Sequence, residues 1–213
     1  MGKYFFSETD IRSTWEQVLS AFWQRYPNPY STHVLTEDVI FREVTPDNVL
    51  LSRRLFTKTN RLPRWAELIF PGNLSRSVYI VEDSVVDPSN RQLTTLTWNL
   101  NHSKLMTVVE RCVFHGVEET SVWTHLTREA WISSGVFGLS RPIQEFGLSR
   151  FRSNQIKSMK GLEHALSKLQ KSATQGHNAD TSKDSQKKTE NVTENKTENM
   201  TASTGSQKPQ QYA

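Results

Sequence analysis

Hydrophobic and polar positions along this chain follow two different periods, and the change of period divides it. Residues 3–7 form a short aromatic strand candidate. Ile11, Trp15, Val18, Leu19 and Phe22 then recur at helical spacing, which predicts a helix over residues 11–25 capped by Thr9 or Asp10. Pro27 and Pro29 disfavour helical geometry at Tyr26 and Asn28, so residues 26–30 read as a rigid corner. From 33 to 134 the period is two. Strand candidates 33–45 and 48–59 meet across Pro46-Asp47, 75–86 and 92–101 meet across residues 87–90, and 105–116 and 121–134 meet across 117–120. With the opening strand that makes about seven, and sequential hairpins predict an antiparallel meander.

The helical period returns over residues 142–169. Pro142 suits a first helical position, with Ser140 as a cap before it. Leu148, Phe151, Met159, Leu162, Leu166 and Leu169 make one apolar stripe. Arg150, Asn154 and Lys157 make a second, which borders the first because Arg150 lies about 100° round the helix from Phe151. That second stripe is either a solvated flank with long stems or a cationic lining. The expected fold is α+β: a curved antiparallel sheet of about seven strands wrapped on the long C-terminal helix, with an N-terminal helix.

One segment interrupts the strands. Residues 61–72 carry Leu62, Trp65, Leu68, Ile69 and Phe70 between and beside Pro63 and Pro71. So apolar a loop covers something. It is a satellite core under a long connection, a lid, or a membrane-touching tip. Beyond Gln170 the composition changes. Thr-Glu-Asn recurs every four residues from Thr189, and so polar a segment cannot offset its ordering entropy by burial. The expected division is therefore a domain over 1–170 and a disordered polar tail over 171–213.

Composition narrows the function classes. The net charge is +4 over 213 residues, and the excess of basic residues up to Gln170 is only +3, too weak to argue for nucleic acid. Cys112 is the single cysteine, so there is no internal disulfide or cysteine metal cluster. No apolar run approaches a membrane span, and residues 1–17 lack a signal-peptide core. The histidines show no metal-ligand spacing, and no nucleophile elbow or phosphate-binding glycine loop is present. Nothing in the sequence asks for a cofactor, a metal or catalysis.

The basic residues are more informative. Arg53, Arg54, Lys58, Arg61 and Arg64 crowd one strand and its exit, and alternation places Arg54 and Lys58 on the face of Leu50 and Phe56. That is either an edge strand protected by charge or a strand whose inward cations meet an anion. A sheet wrapped on the last helix, with cations converging on an apolar space, describes a pocket for an amphipathic anion such as an acidic lipid.

Three stretches carry a family resemblance. Phe22-Trp23-Gln24-Arg25-Tyr26-Pro27-Asn28-Pro29-Tyr30-Ser31 with His33-Val34-Leu35, Lys58-Thr59-Asn60-Arg61-Leu62-Pro63-Arg64-Trp65, and Trp98-Asn99-Leu100-Asn101-His102 resemble the PRELI family over about residues 1–170. The wording is nearer to members that handle phosphatidic acid than to those assigned to phosphatidylserine. The resemblance implies a helix-grip lipid carrier of the mitochondrial intermembrane space, not an enzyme. It would take phosphatidic acid from the outer to the inner membrane for cardiolipin synthesis. It also implies a heterodimer with a small helical twin-CX9C partner and transient contact with anionic mitochondrial membranes. Residue by residue, it puts the head group on Arg25, Lys58, Arg61, Arg150 and Lys157, with His33 and Asn154 beside them. It makes residues 61–72 a lid, through Leu62, Pro63, Trp65, Leu68, Ile69 and Phe70. Readings as a carrier of another acidic phospholipid such as phosphatidylserine, or as a regulatory interaction module, stay open beside it.

Overall fold

The structure is a computed structural model that describes residues 2–59, 76–117 and 122–198, with side chains as far as 172. Two compact units divide it, 1–167 and 168–213. The first holds a seven-stranded sheet: β1 (Lys3–Ile11), β2 (Val34–Val44), β3 (Leu50–Thr59), β4 (Ser77–Asp87), β5 (Gln92–Asn99), β6 (Thr107–Gly116) and β7 (Thr124–Ser133). Helix α1 (Trp15–Trp23) follows β1, and helix α2 (Ser140–Glu198) follows β7. The spatial order is β1-β7-β6-β5-β4-β3-β2, every neighbouring pair antiparallel.

The meander from β2 to β7 matches the pattern of the sequence. β1 lies at the far edge from β2, along β7, with Lys3 opposite Ile132 and Ile11 opposite Thr124. It is also longer than residues 3–7. Thr9 and Ile11 keep the inward phase of the strand, Ile11 is buried, and the ladder to β7 wins over helix formation there. The first helix therefore begins at Trp15, and its cap is Thr14, whose Oγ1 accepts from the Gln17 amide at 3.4 Å, not Thr9 or Asp10. It ends at Trp23, and the corner behind it contains a cis Tyr26–Pro27 bond.

Helix α2 starts at Ser140, so Pro142 sits within the first turn, where the missing N–H leaves no gap. Ser140 Oγ donates to the Ser134 carbonyl at 2.7 Å and accepts from Gln144 Nε2 at 2.9 Å, which ties the start of the helix to the end of β7. The helical backbone runs on to Glu198, past the boundary expected at Gln170, and residues 199–213 lie outside the described ones. The buried face carries Ile143, Gly147, Leu162, Ala165 and Leu166. Two glycines set how closely the helix lies. A Cβ on Gly147 would stand 2.3 Å from Met106 Sδ, and one on Gly161 would stand 2.7 Å from Asn28 Nδ2. Asn28 is held in turn, its Nδ2 donating to the Arg25 carbonyl at 2.6 Å and its Oδ1 accepting from the Tyr30 amide at 3.0 Å.

The inner face of the β2–β4 edge holds a dry ion network. Arg54 is fully buried on β3 directly opposite Glu82 on β4, and its guanidinium donates to Glu82 and to Glu37 of β2. Arg25, just beyond α1, donates to the other oxygen of Glu82 at 2.7 Å and to the Phe22 carbonyl at 3.1 Å. The planar faces are covered too. Phe22 and Trp23 each lie 4.7 Å from Arg54 Cζ, and Phe22 lies 4.0 Å from Arg25 Cζ. Desolvation alone would push the Glu82 carboxyl up; Arg25 and Arg54 outweigh it and hold it below its ordinary range.

This core can be tested at two of its residues. Glu82→Gln leaves two guanidinium groups under-neutralised in a dry site and should cost about 3–5 kcal/mol in urea unfolding. The pKa of Glu82 is lower folded than unfolded, so its contribution is complete above its ordinary value of 4.5 and lost as pH falls through the folded value. The variant should therefore lose stability less steeply in acid than the parent; equal acid slopes would count against this pairing. Separately, Gly161→Leu should destabilise by about 1–3 kcal/mol by displacing Asn28, although helix propensity alone would favour it by ~1 kcal/mol.

Candidate functional site

A cavity of about 220 Å³ lies between the inner face of the sheet and the first turns of α2. Its floor descends the sheet: Lys58 from β3, Val78 and Ile80 from β4, Thr97 and Asn99 from β5, Val108 and Glu110 from β6. Helix α2 supplies Ile143, Phe146, Gly147, Arg150, Phe151 and Asn154. These fall at the i, i+3, i+4 spacing of one helical face. The close approach at Gly147 brings that face within reach of the sheet.

Cationic groups gather at the side nearest the end of β3. His33 precedes β2, and its carbonyl accepts from the Thr59 amide at 2.9 Å, which seats its ring beside Lys58. Burial, together with the charges of Lys58, Lys157 and Arg150, pushes the His33 pKa down to about 4. His33 is therefore neutral at neutral pH and records three converging positive charges. Burial also lowers the pKa of Arg150. Among the described residues, no carboxylate lies within 4.0 Å of the Lys58 ammonium. The contrast with Arg54, four residues earlier on the same strand face, is chemical: one inward cation is neutralised by carboxylates and the other faces a cavity.

The residues singled out from sequence divide accordingly. His33, Lys58, Arg150 and Asn154 line the cavity. The Arg150 and Asn154 stripe is thus a lining and not a solvated flank. Lys157 is exposed and outside the lining, though its charge bears on His33. Arg25 is not among the lining residues; it is committed to Glu82, and its pKa is raised because that carboxylate more than offsets the cost of burial. Arg61 and the expected lid residues Leu62, Pro63, Trp65, Leu68, Ile69 and Phe70 lie outside the described residues.

Sequence reasoning passed over Glu82 and Glu110. Both had a signal: each is an acidic residue at the inward phase of an apolar strand, in Ile80-Val81-Glu82 and Val108-Val109-Glu110. It also passed over what the Trp98–His102 stretch does. Asn99 Nδ2 donates to the Asn101 and Met106 carbonyls at 2.8 and 3.0 Å, and its Oδ1 accepts from the Val108 amide at 2.8 Å. Asn101 accepts from the Tyr79 amide at 3.0 Å and donates to the Ser77 carbonyl at 2.9 Å. These amides hold the β5–β6 turn against β4 and shape one wall. Among the described residues no group of three or more His, Cys, Asp or Glu could hold a metal ion. No described helix is long and apolar enough to cross a membrane.

Comparison with solved structures places the fold. The chain superposes on the Thermus thermophilus protein TTHA0849 with a TM-score of 0.53 at 14% identity, covering 78% of this chain and 99% of that one. It superposes on the Zhui aromatase/cyclase from Streptomyces sp. R1128 with a TM-score of 0.52 at 8% identity, covering 78% and 94%. These likenesses speak to the helix-grip fold alone. Sequence comparison is more specific. The chain is 60% identical over 184 residues to the mouse PRELI domain-containing protein 1, mitochondrial, covering 86% of this chain and 85% of the relative. It is 34% identical over 153 residues to the Saccharomyces cerevisiae Protein UPS1, mitochondrial, covering 72% and 86%. The model of the PRELI-like family matches residues 16–172, which include nearly all of α1, all of β2–β7 and the cavity-lining part of α2, and the chain belongs to that family.

Proposed function

We propose that this chain is a mitochondrial lipid carrier and that its cargo is phosphatidic acid, moved from the outer to the inner membrane across the intermembrane space to supply cardiolipin synthesis. The observation that carries the reading is the convergence of Lys58, Arg150, His33 and Asn154 on a largely apolar cavity. A phosphomonoester bears about −1.5 to −2 charges near neutral pH and three acceptor oxygens. Lys58 and Arg150 meet the charge, and Asn154 and neutral His33 donate to oxygens. A choline or ethanolamine substituent would remove one negative charge and stand between the phosphate and these donors, which gives selectivity by exclusion. The acyl chains occupy the apolar part, between Ile80, Val108, Phe146 and Phe151. Binding and release need no covalent chemistry, so the reading is of a carrier and not an enzyme.

Three features of the proposal come from family membership. The relatives are named mitochondrial, which supports the compartment. A small helical twin-CX9C protein is the proposed partner in a heterodimer, and anionic membranes are the transient docking surface. Residues 61–72 are the proposed lid, with Arg61 as a further head-group contact. Arg25 is assigned a positioning role, through Glu82, in place of a contact to cargo.

The test is a vesicle assay. Full-length protein, alone and with the partner, should move labelled phosphatidic acid between vesicles and leave phosphatidylcholine in place. Lys58→Glu and Arg150→Glu should each cut transfer tenfold or more while the fold and the complex survive. Transfer of phosphatidylserine at an equal rate would replace the cargo, and no transfer of any lipid by the folded complex would favour a regulatory interaction module. A second measurement follows from His33. A bound phosphate offsets the neighbouring cations, so NMR titration should find its pKa raised from about 4 on adding phosphatidic acid. By linkage, binding then tightens as pH falls from the raised value towards 4. An unmoved His33 titration would place the head group elsewhere.

A further inference from the structure

The cavity has a second polar spot, remote from Lys58. Glu110 lies on the inner face of β6 in a cross-strand row that runs Arg54, Glu82, Thr97, Glu110 from β3 to β6. The row holds two carboxylates in opposite conditions. Glu82 is gripped by Arg25 at 2.7 Å and by Arg54 through two nitrogens. Among the described residues Glu110 has only long contacts: Arg128 Nη1 at 3.3 Å, Thr97 Oγ1 at 3.5 Å and Cys112 Sγ at 3.6 Å. Its side chain is 23% exposed, against 5% for Glu82, and it lines the cavity. Arg128 behind it is 6% exposed, and its Nε is buried with no hydrogen-bond partner among the described residues.

An ionised carboxylate accepts at about four lone-pair sites, so Glu110 has acceptor capacity directed at the cavity. The same cavity is lined by the apolar Ile80, Val108 and Phe146. A methylene chain laid across this carboxylate strips its water and returns nothing. A hydroxyl at the same place donates a charge-assisted hydrogen bond and offsets the loss. The position selects where on a lipid that hydroxyl must be. Lys58 is four residues along the strand from the Glu110 row and three strands away, which puts the two sites roughly 20 Å apart. That is too far for the glycerol of a lipid whose phosphate sits at Lys58, and it falls in the middle of an ordinary fatty acyl chain.

We propose that Glu110, backed by Arg128 and Thr97, is a chain-reading subsite that accepts a mid-chain hydroxyl, so that the protein carries lipids with a hydroxylated acyl chain in preference to plain ones. The inference rests on the lipid-carrier reading, with the phosphate at Lys58 and Arg150. It adds a ligand class, oxygenated acyl chains, that the head-group site alone does not distinguish.

The experiment incubates the full-length protein with vesicles and quantifies co-isolated lipid by mass spectrometry. One vesicle set holds dioleoyl and diricinoleoyl phosphatidic acid in equal amounts, and the other holds dioleoylglycerol and diricinoleoylglycerol. Ricinoleoyl chains carry a mid-chain hydroxyl. Within each set the ratio of the two lipids reads the chain subsite, and comparison between sets reads the phosphate site. The expected result is roughly a tenfold enrichment of the ricinoleoyl lipid, lost in Glu110→Leu. Should that variant fold poorly with Arg128 unpaired, the double variant Glu110→Leu with Arg128→Met removes both charges together, and it should show the same loss. Equal recovery of the two chains by the parent, or enrichment that survives the double variant, would overturn the inference. Enrichment in both sets with no preference for phosphate would keep the chain subsite and overturn the head-group assignment.

Discussion

Taking two guanidinium groups out of water is the constraint around which this molecule is arranged. Arg54 has almost no contact with solvent, and Arg25 little more. Glu82 lies between them and neutralises both, Glu37 adds a second carboxylate at Arg54, and Phe22, Trp23 and Phe56 cover the guanidinium faces. The participants come from the end of α1 and from β2, β3 and β4. Satisfying the charges therefore specifies where α1 lies against the sheet and in what register the three strands pair. An apolar cluster of the same volume would hold these parts together as well, but would tolerate sliding by two residues. A buried, directional network does not, because each slip leaves a charge unpaired.

The same inner face then changes character along its length. At the β2–β4 edge the polar groups are closed on one another and dry. Further along the Arg54–Glu82–Thr97–Glu110 row, and towards the end of β3, they face open space. Helix α2 closes that space from one side, and it comes closest where it has glycine. Gly147 lets it press on Met106 and Ile132, and Gly161 lets it press on the Asn28 corner. Between these points Phe151 packs on Phe5 of β1 at 5.3 Å and Gln155 Nε2 donates to Ser7 Oγ at 3.0 Å, while Arg150, Phe151 and Asn154 line the cavity. The cavity lies beside this line of contact, over the inner face of β3 to β6.

Much of this was legible in the residues, and the parts that were not have physical reasons. Period two and period 3.6 report which residues of an element share a face, so the seven strands, both helices and the common face of Arg54 and Lys58 could be read directly, but not that this face turns inward. The boundary between β1 and α1 could not. Residues 9–14 satisfy both a strand phase and a capping signal, and the choice is made by β7, more than a hundred residues away. Nor could the fate of each cation. Arg25 and Lys58 look alike in sequence, and only the folded sheet decides that one is neutralised by Glu82 and the other faces the cavity. Alternation gives the shared face; pairing is a property of the folded sheet.

The pairing of β1 with β7 also bears on how the fold is reached. Lys3 finds its partner at Ile132, so this edge closes through one of the longest loops the chain can make. Contacts of such high sequence separation cost chain entropy before they return any stabilisation, and they place the fold among slow ones. Until β7 exists, β1 has no neighbour in the sheet, and Tyr4 lacks the Trp131 ring it meets at 5.8 Å. The strand at the beginning of the chain is thus among the last to be secured. Even in the folded sheet β1 is the edge strand, and Tyr4 and Phe6, each about half exposed, keep an aromatic edge open to another strand or surface.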